Sequence, residues 1–250
     1  MRTLKRLLRK ALPLAFWLAV WAVAYRAVGQ DLLLASPLAV ARRFAFVGQA
    51  PFWRCVGMSL WRTAAAYGLG VVLGAVLAVG CHACKLLDEV IRPALSVVRA
   101  TPVASFIILA LVWLSAANVP ILAGILMVTP VVFANAREGI DATDPQLLEM
   151  ARLFGWGWWK RFRRITVPSV LPTFLAACEA CVGLCFKATI AAEVIGVPKN
   201  AIGTQLYNAK IYLETDSLMA WTLTVILLSM LLERLLRRAI EGGMRRGHHP

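Results

Sequence analysis

The chain has 250 residues, 60% of them hydrophobic and 16% charged, with a mean hydropathy of +0.71. A soluble domain carries roughly a quarter of its residues as charges, so this composition excludes an ordinary soluble enzyme and points to one all-α polytopic membrane domain over residues 1–250. The net charge of +14 would indicate nucleic acid in a soluble protein; here the cations sit at the ends of apolar runs, where they mark cytoplasmic loops and touch anionic lipid headgroups.

Arg2, Lys5, Arg6, Arg9 and Lys10 precede an apolar run from Ala11 to Val28. No small-x-small cleavage site follows it, so it reads as an uncleaved first span with its N-terminus inside rather than a signal peptide. Residues 30–62 are mixed. Ser36-Pro37 marks a helix start, and Pro51, Phe52, Trp53 and Trp61 suit an interfacial belt. The stretch is expected to lie along the outer surface.

The second span is expected over Thr63–Ala83, with Gly70 and Gly74 forming a GxxxG contact face. Lys85–Arg99 reads as a polar connection with a short helical piece. The apolar block Thr101–Ala136 is too long for one crossing at about 1.5 Å per residue. Ala116-Ala117-Asn118-Val119-Pro120 divides it into two short helices, and this hairpin places the following basic segment inside.

That segment, 137–168, is the main polar interruption. Asp144-Pro145 supplies an N-cap acceptor and a first-turn proline, and Gly155 is a favoured stop. A second short helix is expected from Trp156 to Ile165, ended by Val167-Pro168. On physics alone, a basic juxtamembrane helix bound to headgroups explains the segment as well as a docking element does.

The fifth span is expected over Val170–Ile195, a polar outer segment over Gly196–Asp216, and the sixth span over Leu218–Leu236 with a basic tail inside. Glu179 and Lys187 lie within the fifth span. A charge at mid-bilayer costs roughly 2.5–3.5 kcal/mol, so both must face protein or water. Eight residues separate them, about 12 Å along the axis, too far for a direct pair. Both are candidate pathway-lining residues, with Lys187 attracting an anionic solute; pairing with other helices is the alternative. Glu193 reads as either a gate contact or an interfacial residue. Lys199, Lys210, Glu214 and Asp216 read as a solvated face, part of an outer dock. Of the six cysteines, Cys178, Cys181 and Cys185 fall at i, i+3, i+7, the spacing of a packing face. Two CxxC pairs lack the four ligands of a zinc site, and no metal, cofactor or catalytic residue is expected. His82, His248 and His249 form no HExxH constellation.

Glu149-x-Ala151, Gly155 and Ile165-x-x-Pro168 have the spacing of the EAA loop of ABC importer permeases: Glu-Ala-Ala, three residues, Gly, nine residues, Ile-x-x-Pro. Met150 stands where alanine is usual. Ser36-Pro37, Arg99-Ala100-Thr101-Pro102 and Ala192-Glu193 are similar to landmarks of the nitrate/sulfonate/taurine-type group. The resemblance implies a type I ABC importer (MetI-like) permease fold with about six transmembrane helices in the bacterial inner membrane. It implies two permease copies, cytoplasmic ATPase subunits and an extracytoplasmic solute-binding protein. It also implies coupling to the ATPase through Glu149, Ala151, Gly155, Ile165 and Pro168. The chain has no GxxxxGK[ST] loop, so ATP work falls to a partner. The solute implied is a small anion such as nitrate, sulfonate or taurine. A self-contained secondary transporter or channel would instead need its own coupling-ion site and usually internal repeats.

Overall fold

A computed structural model describes residues 2–246, so His248 and His249 lie outside the described residues. Eleven α-helices occur in these residues: α1 (Arg2–Val28), α2 (Pro37–Arg43), α3 (Ala50–Ala83), α4 (Lys85–Ala100), α5 (Val103–Trp113), α6 (Val119–Asp141), α7 (Pro145–Leu153), α8 (Trp158–Arg161), α9 (Val167–Gly196), α10 (Ile202–Ile211) and α11 (Thr215–Arg246). The all-α polytopic class holds. Four helices are long and apolar enough to cross a bilayer: α3, α6, α8 continued through α9, and α11. Of the other two expected spans, α5 has only 11 residues and is bent by 106° from α4, while the apolar part of α1 is the shorter stretch Ala15–Val28.

The core is built on α6, which packs against both α3 and α9. Small residues set the spacing. Gly70 and Gly74 of α3 face Val128, Thr129 and Val132 of α6, so the GxxxG face finds its partner within the chain. Ala66, Val128, Val132, Cys181 and Cys185 form one buried cluster between the three helices. The cysteine spacing is therefore a packing face. Ala78, Cys81, Phe133, Ala136 and Ile140 form a second cluster at one end of the bundle. At the opposite end Phe52, Cys55, Phe186, Ile190, Ile202 and Trp221 join α3, α9, α10 and α11.

Three expectations need correction. Residues 50–62 do not lie along the surface; they are the first turns of α3, whose 34 residues extend about 51 Å. Pro51 occupies a first-turn position, and of the glycines beyond it Gly70 and Gly74 pack closely on α6, so the helix runs unbroken to Ala83. Lys85–Arg99 is no short piece but most of the 16-residue α4. Val167-Pro168 does not end a helix: Trp158–Gly196 runs 39 residues without interruption. A wider turn over Phe162–Thr166, in which the Val167 amide donates to the Phe162 carbonyl, gives room for the Pro168 ring.

The expected helix starts hold. Ser36 Oγ accepts from the Ala39 amide at 3.1 Å and Asp144 Oδ1 from the Gln146 amide at 2.8 Å. The apolar block does break in two, at residues 114–118, and Val119-Pro120 begins α6 rather than belonging to the break.

Candidate functional site

Two regions carry the residues singled out above. The first is the connection from α6 to α9. Helix α6 ends at Asp141, and Asp144 caps α7 three residues later. At its far end the Gly155 amide donates to the Arg152 carbonyl and the Trp156 amide to the Ala151 carbonyl, both at 2.9 Å. This paired closure requires a left-handed residue, and Gly155 has φ +69. Both ends of α7 are thus fixed by local chemistry, which makes a nine-residue helix a rigid block.

Ala151 is fully buried on α7, and Ile165 is buried within the wide turn. Glu149 and Pro168 are exposed, and Glu149 has no ion-pair partner among the described residues. Leu147, Met150, Leu153 and Phe154 project outward, Leu153 at 88% exposure and Phe154 at 74%. Behind them Trp158 stacks on Phe162 at 5.5 Å and Lys160 lies 4.5 Å over the Trp156 ring. Leu148, Arg152, Trp158 and Phe162 share a cavity of about 180 Å³ with His82 and Ile140, where the α7 segment meets the ends of α3 and α6.

The second region is α9 above this connection. Ala176, Ala180, Lys187 and Ala191 are exposed at helical spacing, with Leu184 half-buried among them. Lys187 has no ion-pair partner among the described residues. Glu179 does have one: its Oε1 accepts from Arg237 Nε of α11. One turn further, Glu233 of α11 packs against Gly183 and accepts from Ser229 Oγ at 3.2 Å.

Glu193 is enclosed by the chain's own groups, at 0% exposure. Arg62 Nη1 donates to its Oε1 at 3.0 Å, Ser59 Oγ reaches Oε1 at 2.9 Å and Oε2 at 2.7 Å, and the Gly203 amide donates to Oε2 at 3.2 Å. It therefore presents no surface to a pathway and is not at a lipid interface. Sequence reasoning missed Ser59 and Arg62. The available signal was Arg62 itself, one cation at the head of a long apolar run, needing a carboxylate partner.

The outer segment is also more built than expected. Lys199 and Lys210 are exposed, but α10 buries Ile202, Gly203 and Ala209. Arg43 of α2 binds Glu214 at 2.8 Å and lies 3.6 Å from Asp216.

A family model described as a binding-protein-dependent transport system inner membrane component matches residues 70–246. A permease of Bacillus subtilis (strain 168), named for aliphatic sulfonate transport, is 23% identical over 219 residues, covering 87% of this chain and 78% of the relative. A formylaminopyrimidine transport permease protein of Halalkalibacterium halodurans is 24% identical over 201 residues, covering 77% and 79%. The fold matches a chain in a crystal structure of an amino acid ABC transporter with histidines, with a TM-score of 0.63 at 20% identity, covering 78% of this chain and 94% of that one. With the family model spanning more than half of the sequence, over the central helices and the α7 connection, the chain belongs to the inner-membrane permease components of binding-protein-dependent ABC importers.

Proposed function

We propose that this permease couples to a separate ATPase through α7 and carries a small anion along the exposed face of α9. In this reading the α7 end of the bundle is cytoplasmic, with both termini on that side. Arg137, Arg152, Lys160, Arg161, Arg163 and Arg164 all belong to that end, as the positive-inside rule favours. The observation that carries the docking role is the projecting face of Leu147, Met150, Leu153 and Phe154 on a helix closed at both ends. An exposed apolar face on a rigid element fits a groove in a partner.

Closure of the ATPase dimer would push α7, and the push reaches the span directly because α8 and α9 form one helix. Glu149, exposed on α7, adds a polar contact; Ala151 and Ile165 seat the block; Gly155 permits its closing turn; Pro168 begins the span. A second copy of the chain completes the pathway, and a binding protein delivers the solute. The sulfonate and bicarbonate permeases among the relatives, together with Lys187, which has no ion-pair partner among the described residues, support an anionic solute.

The test is Leu153→Asp. The side chain is 88% exposed, so the variant is expected to insert in wild-type amounts while the ATPase no longer co-purifies and uptake stops. Full ATPase retention and uptake in that variant would overturn the docking role.

A further inference from the structure

The transport reading leaves unexplained the buried cluster at the end of the bundle opposite α7. Glu193, Arg62 and Ser59 are all at or below 4% exposure. Their bonds do more than satisfy one another. Ser59 Oγ accepts from the Ile202 amide at 3.0 Å, Glu193 Oε2 accepts from the Gly203 amide at 3.2 Å, and Arg62 Nη2 donates to the Lys199 carbonyl at 3.2 Å. Ile202 and Gly203 are the first two residues of α10. The cluster therefore ties the start of α10 to α3 and α9 through three side chains.

The segment it ties down is not a relaxed one. Val197 and Asn200 have φ of +48 and +52. A β-branched residue is disfavoured in the left-handed region, so Val197 stays there only while its surroundings hold it. Gly203 is required by the same closeness: a Cβ there would fall nearer to Glu193 Cβ and the Val194 amide than real Cβ atoms approach.

Beside α10 lies a cleft of about 450 Å³ lined by Arg42, Gln49, Phe52, Cys55 and Trp221, with Gln205 the one α10 residue among its lining. Cys55 is buried, and Gln205 of α10 donates to its sulfur at 3.6 Å. Ile202, also on α10, packs in the same cluster as Cys55.

We propose that Ser59, Arg62 and Glu193 form a latch that holds the start of α10 against α3 and α9, and that release of the latch lifts α10, with Gln205, away from Cys55 and opens the outer end of the molecule. A buried ion pair is a poor device for stability alone, because desolvation offsets much of its attraction; it suits an element with two states, since breaking it is costly unless both charges reach water. Glu193 and Arg62 are positioning residues here: they act on α10, not on solute. The placement of this end outside rests on the topology proposed above.

Cys55 reports the latch without any partner. In right-side-out membrane vesicles carrying the full chain, a membrane-impermeant maleimide reaches outer thiols only, so exposed Cys84 at the other end stays unlabelled. Wild-type Cys55 should label slowly. Glu193→Gln, which keeps the side-chain shape, and Gly203→Ala, which acts by steric displacement, should each speed labelling by about tenfold or more. The signal should vanish in a Cys55→Ser background. Ser59→Ala, which removes one hydroxyl, decides the matter should Glu193→Gln fail to insert. Wild-type labelling rates in variants present at normal levels, with unchanged tryptic patterns, would overturn the latch. The Leu153→Asp test reads the ATPase and fails or succeeds independently of this one.

Discussion

Gly74 shows how finely single residues set this bundle. A Cβ there would lie 2.8 Å from the Thr129 carbonyl oxygen and 2.9 Å from Val132 Cβ. Backbone cannot yield as a flexible side chain can, so α3 and α6 would have to separate. Gly74→Leu is expected to cost on the order of 1–3 kcal/mol and to lower the midpoint of thermal unfolding in detergent. Gly68 lies on the same helix with open space around it, so Gly68→Ala should leave that midpoint unchanged or slightly raised. The sequence disclosed the small-residue face but not what lay against it. It disclosed Glu193 as a lone carboxylate but not its partner, because Arg62 is 131 positions away and no periodic pattern connects two residues at that separation.

At the scale of elements, the clearest legibility was in the capped ones. Ser36-Pro37 and Asp144-Pro145 start helices because the cap acceptor and the first-turn proline act locally, and Gly155 stops α7 because its left-handed conformation is local too. The continuous helix from Trp158 to Gly196 was not legible: proline in sequence signals a break, and only the wide turn preceding Pro168 removes the clash. The Arg43–Glu214 link, joining α2 to the start of α11, was likewise not legible, since the sequence suggested only that Glu214 is solvated. Hydrogen bonds from Ser217 and Arg43 hold the Glu214 carboxyl below its ordinary value of 4.5. A carboxyl depressed in the folded state stabilises above its unfolded value, and this contribution is lost as pH falls through the lowered one. Both partners are about half exposed, so the link is worth less than about 1 kcal/mol. Glu214→Gln should therefore lower thermal stability slightly at pH 7, and the difference from wild type should shrink as pH falls below 4.5 and vanish once pH is under the lowered value. A difference that persists unchanged at pH 3 would mean that the carboxylate charge is not what holds α2 to α11.

The molecule as a whole poses the question of what covers the exposed face of α9. Its residues are small, apart from Leu184 and Lys187, and a stripe of that kind admits close approach by another backbone or by a solute. Glu179, the other ionisable group singled out in this span, is paired with Arg237 within the chain, which leaves Lys187 as the candidate for contact with something else. A lone ammonium facing hydrocarbon would be costly, so in the proposed assembly it must meet either water and solute or a group on the second copy proposed above. These two uses separate experimentally. If Lys187 serves the solute, Lys187→Met should insert at wild-type levels or above, since a costly charge is gone, while uptake of an anionic solute falls on the order of tenfold. Lys187→Arg, keeping the charge, should restore part of that uptake. If Lys187 instead pairs with the second copy, Lys187→Met should leave a partner carboxylate bare, and the yield of intact dimer should fall along with uptake. Measuring dimer yield beside anion uptake in both variants distinguishes the two, and unchanged uptake in Lys187→Met would remove this residue from the pathway.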